Sequence, residues 1–238
     1  EKLDSKEPFK DINLILSKGE ILGIAGVEGN GQRELTESIL GIYPLSQGTI
    51  TVDGINIDNM ATRQRRSLGI NFIPEDRQTQ GLVMDNSLIE NAMLGRQNKD
   101  MYKTRFKSVN FKNSRKFSNK IIDQYDVRTP NSSTLALALS GGNQQKFVVG
   151  RELEDNPSLL VASQPTRGID IGAQSLIWEE LREARDAGLG VLLISADLEE
   201  LLGLSDRLLV MYEGKIVKEL LPEDATPELL GAYMTGLK

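Results

Sequence analysis

Leu139-Ser140-Gly141-Gly142-Asn143-Gln144-Gln145-Lys146, and the run Ser158-Leu159-Leu160-Val161-Ala162-Ser163-Gln164-Pro165-Thr166-Arg167-Gly168-Ile169-Asp170 that opens twelve residues after Lys146, decide how this chain is read. The first piece is a small-residue turn opening a helix. Ser140 and two glycines leave no bulk there, and Phe147, Val148, Val149 and Leu153 supply an apolar face. A helix start has amide hydrogens without intrahelical acceptors and the positive end of the dipole, so it is a ready anion site. The second piece is a buried strand that runs out into a polar turn. Ligands in open α/β sheets sit beyond the carboxyl ends of strands, so chemistry is expected at that turn.

Upstream, residues 12–16 alternate apolar and polar and read as a strand, and Lys18-Gly19-Glu20 turns the chain. Residues 21–25 read as a buried strand, 26–33 as a glycine loop and 34–40 as a helix closed by Gly41, which is the context a phosphate-binding loop requires. Residues 48–57 read as a hairpin about Asp53-Gly54, 63–68 as a short helix and 70–73 as a central strand stopped by Pro74. Residues 81–84 read as loop, and Ser87 caps a helix to about Leu94. A basic, Asn/Ser-rich stretch follows, mostly helical at best, and residues 131–134 link it back to the Ser140 helix. Beyond Asp170 come helix (174–185), strand (191–194), helix (197–202), strand (208–211), a Glu213-Gly214 turn, strand (216–220) and helix (226–234). Trp178, with Leu181 three residues on, reads as core packing. The alternation predicts an α/β protein with a mostly parallel sheet and helices on both faces.

LSGGNQQK with its following strand resembles the signature motif and Walker B segment of ABC-type ATPases, and nearly the whole chain aligns with that family in order. The resemblance implies a P-loop ABC ATPase fold across residues 1–238 as one domain, with an antiparallel β subdomain and a helical signature subdomain at roughly 80–156. It assigns Gly26-Val27-Glu28-Gly29-Asn30-Gly31-Gln32-Arg33 to the G-x-x-G-x-G-K-[ST] loop. Gly29, Asn30, Gly31, Gln32, Arg33 and Glu34 are then the candidates for holding ATP in cis, weakly or not at all. Gln32 replaces the family's lysine and Arg33 its magnesium-binding hydroxyl. A cation about 4 Å from a phosphate is worth up to about 4 kcal/mol at an effective dielectric of 20, of which Arg33 is expected to recover part. Ser163 stands for the magnesium-binding Asp, Gln164 for the catalytic Glu, Glu75 for the Q-loop Gln and Ala196 in the place of the switch His. No catalytic position is intact by this reading, no metal is expected in this chain's own site, and magnesium is expected only at a partner's. Ser140, Gly141, Gly142, Asn143 and Asp170 match the family. ABC domains pair head to tail, so the matching half is the half that acts in trans on the partner's γ-phosphate. The strings Pro74-Glu75-Asp76-Arg77, Gly81-Leu82 and Ser163-Gln164-Pro165-Thr166-Arg167-Gly168 resemble the C-terminal, degenerate half of tandem simple-sugar and nucleoside importer ATPases. The Ser-Gln-Pro form leans toward nucleosides.

The expected partners are therefore a paired ABC domain in the same full-length chain and transmembrane permease subunits meeting residues 81–96. The expected location is the cytoplasmic face of the membrane, held peripherally. Two rival readings stay open: a self-sufficient ATPase with atypical groups such as Glu75 as base, and a soluble ABC module that works without a permease. A dinucleotide fingerprint is weaker, because Glu34 stands at the third glycine although Asp53 lies at about the ribose-acid distance.

Composition limits the alternatives. The chain has 238 residues with neither Cys nor His, so disulfides, Cys/His zinc sites and His bases are excluded. It opens on Glu1 instead of Met, as a segment of a longer polypeptide would. No apolar run nears the roughly 18 residues of a bilayer span. A net charge of −6 does not suggest a nucleic-acid binder. Residues 96–128, however, hold ten basic and three acidic side chains, giving +7 and leaving −13 elsewhere. That segment reads first as a solvated face, with contact to anionic lipid headgroups as the alternative.

Overall fold

The computed structural model describes residues 9–97, 99–103 and 109–237. In chain order they form β1 (Ile21–Ala25), α1 (Gln32–Leu40), β2 (Thr51–Val52), β3 (Ile55–Asn56), α2 (Thr62–Ser67), β4 (Ile70–Ile73), α3 (Leu88–Ala92), α4 (Phe111–Gln124) and α5 (Gly141–Leu153). Then follow β5 (Leu159–Ser163), α6 (Ile171–Asp186), β6 (Gly190–Ile194), α7 (Leu198–Leu204), β7 (Arg207–Tyr212), β8 (Lys215–Leu220) and α8 (Pro227–Met234).

The main sheet runs β4-β5-β6-β1-β7-β8. Its first five strands are parallel and β8 returns antiparallel on β7. Every residue of β1 and β6 is buried, which is why these strands read as continuous apolar runs without alternation. One face carries Ile21, Ala25, Leu160 and Leu193 against Phe147 of α5, Ile177 of α6, Leu201 of α7 and Leu230 of α8. The other carries Leu22, Ile24, Val161 and Leu192 against Leu35 and Ile39 of α1. In register, Ile24 and Ser163 both pair with Ile194, and Ile73 pairs with Ala162. The loops that leave β1, β4, β5 and β6 therefore emerge side by side at one end of the sheet.

Several boundaries differ from the sequence reading. Residues 12–16 keep their alternation, with Ile15 exposed and Ile12, Leu14 and Leu16 turned inward, but among the described residues no ladder forms there. The 48–57 hairpin pairs only β2 with β3. The first helix begins at Gln32 and not Glu34, because Gly31 at φ 101° turns the chain directly into it. Residues 77–81 make a π-turn capped by Asp76, whose carboxylate accepts from the Gln78 and Thr79 amides. The basic stretch contains the fourteen-residue α4. Arg96 belongs to no solvated face: it is 1 % exposed and pairs with Glu152 at 2.9 Å and Asp155 at 3.2 Å. Among the described residues no helix is long and apolar enough to cross a membrane.

Candidate functional site

The glycine loop connects β1 to α1 through Gly29 (φ 90°) and Gly31 (φ 101°), conformations that a side chain would strain. The amides of Gln32, Arg33 and Glu34 occupy the first turn of α1, where a helix offers them no acceptor. The six predicted cis residues do not act alike. Asn30, 7 % exposed, is a strut: its Oδ1 accepts from the Glu213 amide at 3.0 Å and its Nδ2 donates to the Met234 carbonyl at 3.3 Å. Its own N–H reaches the Val27 carbonyl at 3.3 Å, so Asn30 holds the loop to the β7–β8 turn and α8 and has little left for a ligand. Gln32 folds back, donating from Nε2 to the Val27 carbonyl at 3.2 Å. Arg33 donates from Nε to Glu37 at 2.8 Å, and that hydrogen bond raises its pKa. Its guanidinium is 76 % exposed and paired with Glu37 one turn along the helix.

At the ends of β4, β5 and β6 the side chains of Glu75, Gln164 and Ser195 are engaged within the chain. Gln164 takes φ 49°, donates its N–H to the Ile194 carbonyl at 2.7 Å and accepts at Oε1 from the Ala196 amide at 3.1 Å. It cross-links the two strand ends, and a carboxamide takes up no proton at neutral pH. The Ser195 hydroxyl accepts from the Asp197 amide at 3.0 Å. Glu75 forms an ion pair with Arg167, so its carboxylate already has a cation. Magnesium favours carboxylates, and the two positions at the end of β5 that the resemblance assigns to the metal and its base are a hydroxyl, Ser163, and a carboxamide, Gln164. The donor set does not fit the ion, although the first-turn amides of α1 fit an anion.

Beneath this turn lies Glu200, 1 % exposed, which accepts from Thr166 Oγ1 at 2.7 Å and from Trp178 Nε1 at 3.2 Å. Burial raises its pKa. Trp178 thus packs on the core and also donates to a buried carboxylate; one of two adjacent glutamates on a seven-residue helix gave no sequence signal of it.

The Ser140 turn has free groups to offer. Ser140 is exposed and caps α5, its Oγ accepting from Asn143 Nδ2 at 2.9 Å, which leaves the hydroxyl hydrogen available. The Gly141 and Gly142 amides lie in the first turn of a thirteen-residue helix with no acidic residue there. A Cβ on Gly142 would come within 2.9 Å of an Asp170 carboxylate oxygen, so glycine permits the close approach of α5 to the start of α6. Asp170 caps α6 through the Ala173 amide at 3.0 Å, and that bond lowers its pKa. Arg77 joins this group, as the sequence reading had not foreseen. It donates to the Arg167 and Gly168 carbonyls at 2.9 and 3.3 Å, and a Cβ on Gly141 would meet its Nη2 at 2.6 Å. A guanidinium therefore stands beside the helix start and reinforces its attraction for an anion. Gln145 Nε2, bonded to the Pro165 carbonyl at 2.7 Å, fixes α5 to the turn after β5.

Residues 9–167 match the ABC transporter family. The chain is 46% identical, over 97% of its length and 45% of the relative's, to the guanosine import ATP-binding protein NupO of Bacillus subtilis (strain 168). It is 43% identical, over 97% of its length and 42% of the relative's, to the glucose import ATP-binding protein TsgD13 of Haloferax volcanii. It thus spans about half the length of the curated relatives it matches. Among solved structures, the dimeric post-hydrolysis ATP-binding cassette MJ0796 bound to ADP and Pi superposes with a TM-score of 0.78 at 22% identity, covering 93% of this chain and 94% of that one. The fold is the P-loop ABC ATPase fold.

Proposed function

This chain belongs to the ABC transporter family, and from that premise we propose that it is an ATP-binding component of an importer for simple sugars or nucleosides, silent at its own glycine loop and active on a partner's nucleotide. The observation that carries the reading is the contrast between two helix starts. That of α1 has an inward-folded Gln32, an Arg33 held by Glu37 and no charge for a metal. That of α5 has an exposed hydroxyl, the amides of Gly141 and Gly142 in its first turn, an Asn143 amide that the Ser140 hydroxyl caps, and an adjacent guanidinium. Ser140, the amides of Gly141, Gly142 and Asn143, and Arg77 would close on a γ-phosphate bound by a second ABC domain, the role of preorganised donors aimed at developing charge. The dimeric form of MJ0796 and the printed roles of NupO and TsgD13 in guanosine and glucose import support the pairing and the solute class. The paired domain is the other half of a tandem polypeptide in this reading, since the relatives are about twice as long as the match. Residues 80–156 act as the signature-bearing unit, and residues 81–96 receive a permease helix at the cytoplasmic face.

Ser140→Arg tests the reading. The guanidinium would fill the space before the α5 amides without touching any glycine loop. ATP turnover by the assembled transporter should fall by at least 100-fold, the loss expected when oxyanion-type donors are removed. Turnover equal to wild type would end the proposal.

A further inference from the structure

Most of the basic segment is accounted for by its neighbours. Arg96 is buried, Lys99 pairs with Asp155, Lys103 with Asp100, Lys120 with Glu154, and Arg128 lies near Asp126. Arg105 and Lys107 fall outside the described residues. Lys112, Arg115 and Lys116 remain, all exposed, and among the described residues none of the three has an acidic partner. Arg115 touches only the Ser133 hydroxyl, at 3.4 Å.

Their placement opposes the local electrostatics. They fall in the first two turns of α4, where the dipole is positive and where acidic residues stabilise a helix; its first turn has none. The spacing i, i+3, i+4 gathers them on one side, opposite the buried Ser114, Ser118 and Ile121. At the same end Phe111 is 55 % exposed and Val109 41 % exposed. Asp123, the acid on this outer side, lies at the far end of the helix. Cations flanked by an exposed aromatic are the composition of an element that lies in a membrane interface, with the ring at the acyl boundary and the charges on headgroups. The charge of −13 elsewhere makes this face complementary to an anionic surface from which the rest of the chain is repelled.

We propose that the N-terminal half of α4, tipped by Phe111, docks on an anionic lipid bilayer. This goes beyond the trans-acting role and does not need it, since neither permease nor nucleotide takes part in the contact. Three cations leaving the surface should weaken partitioning on the order of 100-fold.

The test is co-sedimentation of the chain with vesicles containing about 30% phosphatidylserine, and with pure phosphatidylcholine, at about 50 mM salt. Wild type should pellet with the anionic vesicles only. The triple variant Lys112→Glu, Arg115→Glu, Lys116→Glu should stay in the supernatant, and Phe111→Ser should lose the fraction that resists salt. Lys10→Glu, Arg63→Glu, Lys215→Glu, which takes the net charge from −6 to the same −12, should bind like wild type, with unchanged melting. Equal loss in the two triple variants, equal binding to both vesicle types, or retention by polyuridylate in place of vesicles would each overturn the proposal.

Discussion

Gln32 is 7 % exposed with its carboxamide turned onto the Val27 carbonyl, and in the proposed reading this one side chain stands where the family places a cation. A lysine there would bring a cation to the phosphate, worth up to about 4 kcal/mol at an effective dielectric of 20. Gln32→Lys should therefore tighten ATP binding to the chain at least about 10-fold in calorimetry, the remainder being spent on breaking the Val27 bond. Magnesium should make no difference until Arg33→Ser and Ser163→Asp are added, because a guanidinium repels the ion and the Ser163 hydroxyl brings it no negative charge. Tight, magnesium-dependent binding by the wild type would contradict the account. The substitutions at Gln32, Ser163 and Gln164 were legible in the sequence because a motif fixes which position is which. The partners of Asn30 and Arg33 were not, since Glu213, Met234 and Glu37 are brought to them by packing.

Three helices meet at a joint of acids. Tyr125, just past α4, donates to Glu154 at the end of α5 at 3.3 Å, and Glu180 of α6 faces both. Burial, and then the charges of Glu183, Glu154 and Glu179, push Glu180 up to about 7. Folding therefore takes up a proton here. The contribution is fully present below the unfolded value near 4.5 and is lost as pH rises through 7. Glu180→Gln should raise the melting temperature at pH 8 and lose that advantage at pH 5; a gain independent of pH would show that the carboxyl is not the source. Helical periodicity placed α6 within a few residues, but no local pattern announces that an acid on it will face two others across a joint. The N-terminal segment teaches the converse: residues 12–16 have the alternation of a strand, yet a strand needs a ladder, and none of the described residues offers one.

Across the molecule, Glu152 ties the α-helical insert to the sheet. It meets Arg66 after α2 begins, Arg96 beyond α3 and its neighbour Arg151, while its carbonyl accepts from Asn71 of β4 at 2.6 Å. Burial alone would raise this carboxyl, but the guanidiniums of Arg96, Arg151 and Arg66 outweigh it and hold it at about 2. That stability is present above the unfolded value near 4.5 and is lost as pH falls through 2. Glu152→Gln leaves three guanidiniums clustered without their carboxylate and should cost about 3–5 kcal/mol in urea unfolding at pH 7. The penalty should shrink toward pH 2–3, where the wild type begins to lose the same charge; a constant difference would place the effect in packing. The sequence by itself determined the fold class and the order of strands and helices, because these depend on residue type at fixed spacing along the chain. Only the tertiary structure decided which side chains remain free: Asn30 and Gln32 turned inward, Arg77 placed beside Ser140, Arg96 buried, and Lys112, Arg115 and Lys116 of α4 left to solvent. Availability depends on which partners, distant in sequence, the packed core brings within hydrogen-bonding reach.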